Sequence, residues 1–342
     1  MSAYLNTRVS LHSSRLWQTT DFQSLLGAAD ESVPQVLTER GLGTLAAGYT
    51  DNDPRSLEAR IIALLLEETL ILIRPLVGNE RAFITYWTQR FEISNVKTLL
   101  RGKLAGELAA TLLPRLTPMG AFARLDLHEL ALVEDIAELL RKLEAGPYAD
   151  IVRLARRAFE ASHDLFTLDA ALDRSYFEGL AHRARALEAT AGAAFRRLMA
   201  SLIDRTNLIW LLRYRFNYGL PPAQVYYLMV IAHYGLSPDR LRQLSALESV
   251  EEVVAALPSQ LRGSLHGSTD IPGLFAHLET MAADTAYGVL HSGAPAIARA
   301  FAYLILRELD LRDVRAVLRG RHLGLQRDAI GMALRRTHEG GL

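Results

Sequence analysis

The chain has 342 residues, half of them hydrophobic, and its 38 basic and 38 acidic side chains leave no net charge. That balance excludes a protein whose main partner is bulk nucleic acid, where a basic excess is required. There is no cysteine, which excludes disulfides and thiolate metal sites; the size is ample for a large core divided among two or three domains.

In chain order, the opening MSAYLNTRVSLHSSRLW lacks the continuous apolar run of a signal peptide. GLGTLAAG (41–48) and DNDP (51–54) read as turns. The most apolar segment, IIALLLEETLILI (61–73), carries Glu67 and Glu68 in its middle and is too short and too charged to span a bilayer. A long helical segment follows from about Phe83. LPRLTPMG (113–120) breaks the chain, and ELALVEDIAELLRKLEA (129–145) repeats apolar residues at three- and four-residue steps, as one helix does. Further breaks fall at YGLPP (218–222), LPSQLRGSLHGSTDIPG (257–273) and SGAP (292–295). Period-two runs of β-branched residues are scarce. The predicted class is all-α, with many helices of about 10–25 residues.

One sentence is written three times. Ala-Phe occurs at 82–83, 194–195 and 300–301, and the three Phe are spaced 112 and 106 residues apart. Nine residues after each Phe comes an acid (Glu92, Asp204, Asp310), and three further on Asn95, Asn207 or Asp313. Then come Leu99-Leu100-Arg101, Leu211-Leu212-Arg213 and Val317-Leu318-Arg319, a second base at Lys103, Arg215 or Arg321, and a closing Gly106, Gly219 (one residue late) or Gly324. The period is too long for a solenoid and large enough for a small bundle. It predicts three similar helical bundles with internal pseudo-threefold symmetry, divided as 1–115, 116–225 and 226–342.

At 100° per residue each acid shares a helix face with the apolar residues four and seven places on. The arginine nine places on points away and lies about 13–14 Å along the axis. Acid and arginine therefore cannot pair within their own helix. Two roles fit Glu92, Asn95, Arg101, Asp204, Asn207, Arg213, Asp310, Asp313 and Arg319: caps and ties between neighbouring helices or repeats, or contacts to a partner, with the arginines at the rim of a shared opening. No P-loop, H-E-x-x-H or G-x-S-x-G is present, and GSLHGS (263–268) does not fit the last, so no catalytic, cofactor or metal residue is predicted.

The repeat, with Tyr4-Leu5-Asn6-Thr7-Arg8-Val9, FEISNVKTLLRGK, LDRSYFEGL (172–180), the DRTN-to-LLRYR run and YLILRELDLRDVRAVLRGRHLGL (303–325), resembles a family of rotary V-type and archaeal-type ATPases. The family is that of their central-stalk component, the C subunit of prokaryotes and the d subunit of eukaryotes. The likeness covers essentially the whole chain and is weakest over 20–80 and 257–300. It implies a funnel of three helical bundles with no catalytic activity. It further implies a socket on the cytoplasmic face of the membrane proteolipid ring, into which the central stalk of the soluble head plugs, with no transmembrane segment of its own. A helical scaffold for some soluble partner, or an all-α enzyme with a small-molecule pocket, stays open beside it.

Overall fold

The computed structural model describes residues 2–50, 53–162, 164–265, 270–332 and 334. Asp51 and Asn52 of the DNDP turn, and residues 266–269 of the 257–273 break and the GSLHGS stretch, lie outside them. The described residues are all-helical and contain no strand.

The helices come in an order that repeats. After α1 (Ser2–Ser13), a first set comprises α2 (Thr19–Gly27), α3 (Val33–Glu39), α4 (Gly43–Ala47), α5 (Pro54–Ile73) and α6 (Gly78–Leu104). The connector α7 (Ala109–Leu112) leads to α8 (Leu127–Leu132), α9 (Ile136–Glu144), α10 (Ala149–Ser162), α11 (Leu165–Arg185) and α12 (Glu188–Leu212). The connector α13 (Pro222–Leu228) leads to α14 (Pro238–Ser245), α15 (Val250–Ala256), α16 (Ser259–Leu265), α17 (Ile271–His291) and α18 (Ala296–His322), followed by α19 (Arg327–Met332). Each set is three short helices and then two long ones. Many helices are thus shorter than the 10–25 residues expected from periodicity, because caps cut the apolar pattern into pieces. The 129–145 segment shows how: α8 ends at Leu132, and Asp135 starts α9 by accepting the Glu138 N–H at 2.8 Å while the Glu134 N–H reaches back to the Glu138 carboxylate.

Other breaks follow the residues that announce them. Asp53 caps α5 through the Arg55 and Ser56 N–H groups with Pro54 as its first helical residue. In GLGTLAAG, Gly41 turns at φ +74° and residues 43–47 then make one short helix. Gly192, at φ 73°, kinks α12 near its start.

The chain gathers into two compact units. One contains residues 1–76, 190–198 and 272–342; the other contains 77–189 and 199–271. These boundaries do not fall at 115 and 225, since they follow spatial contact and the threefold division follows the sequence repeat. In the first unit α1 and α5 pack along α18, and the rings of Phe195 and Phe301 meet at 6.0 Å. In the second, α11 packs on α6. Tyr86 and Tyr176 stack at 5.3 Å, and each hydroxyl donates to the opposite helix, Tyr86 to the Tyr176 carbonyl and Tyr176 to the Trp87 carbonyl. Gly179 permits this approach, because a Cβ there would lie 2.2 Å from the Tyr86 hydroxyl. Phe83, Phe195 and Phe301, which open the three copies of the motif, are each fully buried in a long helix.

Candidate functional site

The repeated polar residues sit where the last helix of one set meets the first helix of another, and each junction can be built from its carboxylate outward. Glu92 is completely buried on α6. Its Oε1 accepts the Arg124 and Leu125 N–H groups at 2.9 and 3.0 Å, and its Oε2 accepts the Tyr148 hydroxyl. Burial first, and then the Glu92 charge, push the Tyr148 phenol far above its usual range. Leu125 directly precedes Asp126, the N-cap of α8, whose carboxylate holds the Glu129 N–H.

Asp204 on α12 repeats the arrangement with fewer donors. Its Oδ1 accepts the Leu236 N–H at 2.6 Å, and Leu236 precedes Ser237, the N-cap of α14. With one donor against its burial, the Asp204 carboxyl is pushed up to about 6. Gly235 makes room: its φ is +73°, and a Cβ would stand 2.1 Å from the Asp204 carboxylate.

Asp310 on α18 completes the series. It is fully buried, and its Oδ2 accepts the Trp17 N–H at 2.8 Å; Trp17 precedes Gln18, the residue before α2. In all three junctions, then, a long-helix carboxylate holds the N–H of the residue just before the cap of the helix that opens a set. That is where the positive end of a helix dipole favours negative charge. Leu125, Leu236 and Trp17 also take the position that in a hydrophobic staple packs on the residue five places later: Leu130, Leu241 and Phe22. The third staple is visible as ring contact between Trp17 and Phe22 at 5.0 Å.

The amides make a second tie. Asn95 donates to the Thr117 carbonyl and accepts the Thr117 N–H, both at 2.8 Å. Asn207 does the same to Val230, at 3.0 and 2.8 Å. An asparagine can hold both ends of one residue because it carries a donor and an acceptor. The third copy has Asp313, buried, which as a carboxylate can only accept.

The basic residues are arranged differently. Arg101 pairs with Asp169 of α11, with about half of its side chain exposed, and Lys97 one turn earlier pairs with Asp173 at 2.8 Å. Arg315, at the position of Lys97 in the third copy, pairs with Glu58 of α5. Arg321 spans the end of α2, donating to the carbonyls of Leu25, Leu26 and Ala28 and to Asp30, whose carboxyl it holds below the usual range. Arg213 is exposed and Arg319 half-buried.

The glycines close the helices in left-handed conformation: φ is +69° at Gly106, +66° at Gly219 and +67° at Gly324. In the first and third copies the N–H after the glycine returns to the carbonyl of Gly102 or Gly320, at 2.8 and 2.9 Å. Gly219 comes one residue late because residues Arg213–Asn217 wind as a π-turn, in which Tyr218 N–H reaches the Arg213 carbonyl five residues back. The wider turn absorbs the extra residue.

Sequence reasoning missed the partners of the acids, since backbone N–H groups leave no side-chain signature. The capping dipeptides Leu-Asp, Leu-Ser and Trp-Gln were the available signal. It also missed the most enclosed ion pair among the described residues. Arg307, with no exposed side-chain surface, pairs with Glu68 at 2.9 Å; Tyr303 donates to the same carboxylate, and Arg307 reaches the Arg15 carbonyl at 3.1 Å. Nothing in these junctions pairs a nucleophile with a base. Among the described residues no group of three or more His, Asp or Glu is placed to hold a metal ion.

The family model described as ATP synthase (C/AC39) subunit matches residues 5–332. The chain belongs to that family. Relatives named as the C subunit of A-type ATP synthases match it at low identity. That of Methanosarcina barkeri is 23% identical over 334 residues, 96% of this chain and 91% of the relative. That of Methanothermobacter thermautotrophicus is 25% identical over 334 residues, 93% and 83% of the two chains. The match to the protein of Methanocaldococcus jannaschii, 24% identical, covers 75% of this chain and 64% of that relative. As a member of this family the chain is similar to a subunit of a rotary ATPase. None of its described helices is long and apolar enough to cross a membrane.

Proposed function

We propose that the chain is the non-catalytic coupling subunit of an A- or V-type rotary ATPase: a socket that joins the rotating central stalk of the soluble head to the membrane proteolipid ring, for proton or sodium transport. The observation that carries this reading is the threefold junction. Each long helix α6, α12 and α18 grips, through one carboxylate, the start of a capped short helix, so the same building step is taken three times. Three copies of one step placed about an axis by rotations of about 120° would form a funnel around a shaft, and a wall of that kind needs no nucleotide site. In this reading the divisions 1–115, 116–225 and 226–342 are the three walls. Glu92, Asn95, Asp204, Asn207, Asp310 and Asp313 hold the junctions. Arg101, Arg213 and Arg319, at the helix ends, stand where junction and partner surface meet. The protein would then lie on the cytoplasmic side, peripheral to the membrane through its partners. The relatives' names support the reading independently of the geometry.

The test is an affinity pull-down of the tagged chain from mildly solubilised native membranes. Recovery of proteolipid and central-stalk subunits in fixed ratio is the expected result. Recovery of soluble proteins alone would replace this reading with that of a helical scaffold.

A further inference from the structure

The third junction differs from the other two in what ties it. Glu92 and Asp204 hold N–H groups 33 and 32 residues further along the chain, so a short connecting segment also joins the two sides. Asp310 holds Trp17 across a separation of 293 residues. No short connector backs that junction, and its N-terminal side is held by side chains. Arg299 donates to Asn6 and Ser10, Arg307 donates to the Arg15 carbonyl, and α1 lies along α18 and α5.

The same junction contains two buried polar atoms without a hydrogen-bond partner among the described residues, His12 Nδ1 and Trp17 Nε1. His12 is 2% exposed, edge-on to Tyr303 at 5.7 Å. The charged groups around it are Glu68 from α5, Arg307 from α18, and Arg8 and Arg15 from its own segment. Glu68 is already engaged by Arg307 and Tyr303. A proton on His12 would therefore add a cation to a closed pocket in which Glu68 is already occupied.

We propose that residues 2–17 are a releasable latch on the third junction, held at neutral pH and loosened by acid, with His12 as the proton-sensitive contact. Burial, reinforced by the three arginines, lowers the affinity of the latched ring for a proton below that of an exposed histidine, in spite of Glu68. Protons therefore favour the released state once the pH falls below about 6.5, the range in which a free imidazole charges.

Hydrogen exchange of the full chain, read by mass spectrometry at about pH 7.5 and about pH 5.5 and corrected for intrinsic rates, tests this. Amides of α1 should exchange up to about tenfold faster at the lower pH for each unit below the free imidazole range, while those of α6 keep their protection. His12→Phe, or His12→Gln should the first variant fold poorly, should abolish the pH difference in α1. The proposal is overturned by α1 protection that does not change with pH in the parent. It is equally overturned by a loss that persists in the His12 variant, or by α1 and α6 losing protection together.

Discussion

Arg307 and Glu68 show what a charge costs when no solvent reaches it. Both are buried, and the Tyr303 hydroxyl donates to the same carboxylate. Removing one partner, as in Glu68→Gln or Arg307→Leu, should destabilise the fold by about 3–5 kcal/mol, and removing both should recover a large part of that. Urea denaturation of the two single variants and the double variant measures it. Arg101 is the contrast: with half its side chain in solvent, its pair with Asp169 is worth no more than about 1 kcal/mol, so Arg101→Ala is a probe of assembly more than of stability. Asp204 contributes a pH dependence of its own, apart from that of His12. Its folded pKa stands at about 6 against 3.8 for an ordinary aspartate, because burial outweighs the single Leu236 N–H. The protonated form is thus favoured by folding, and its contribution is full at low pH and lost as the pH rises through about 6. Asp204→Asn keeps an oxygen for Leu236 and removes the titration. Its stability relative to the parent should therefore improve by about 1–3 kcal/mol between about pH 4 and about pH 7.5. A parallel pair of pH curves would contradict the assignment.

The long helices were legible because Phe, acid and arginine recur in step and a left-handed glycine closes each copy. At Gly106 and Gly324 nothing lies within 4 Å of an added Cβ, so Gly→Ala there should lose only the conformational term, about 1 kcal/mol. Gly235→Ala combines the same strain with a collision on the Asp204 carboxylate and should lose clearly more. Melting temperatures of the three variants rank the two effects. The break between α8 and α9 was not legible from apolar spacing, since Glu134 and Asp135 interrupt the backbone without interrupting the period. The shift of Gly219 was visible as a number, but its cause, a π-turn, is a backbone property with no side-chain signature. For the same reason the acids were found and their partners were not. A backbone N–H at residue 17 gives no sign in the sequence that it belongs beside residue 310.

Taken together, the three junctions give the chain one device used repeatedly, and the family to which it belongs places relatives of this kind in rotary ATP synthases. If the chain is the coupling subunit proposed above, its loss should uncouple a motor without disabling its head. Membrane vesicles carrying the ATPase complex, depleted of this protein and then given it back, allow ATP hydrolysis and ion uptake to be measured side by side. Depletion should leave hydrolysis by the soluble head while ion uptake falls to background, and adding the chain should restore uptake. Ion uptake that continues at full rate without the chain would contradict the account.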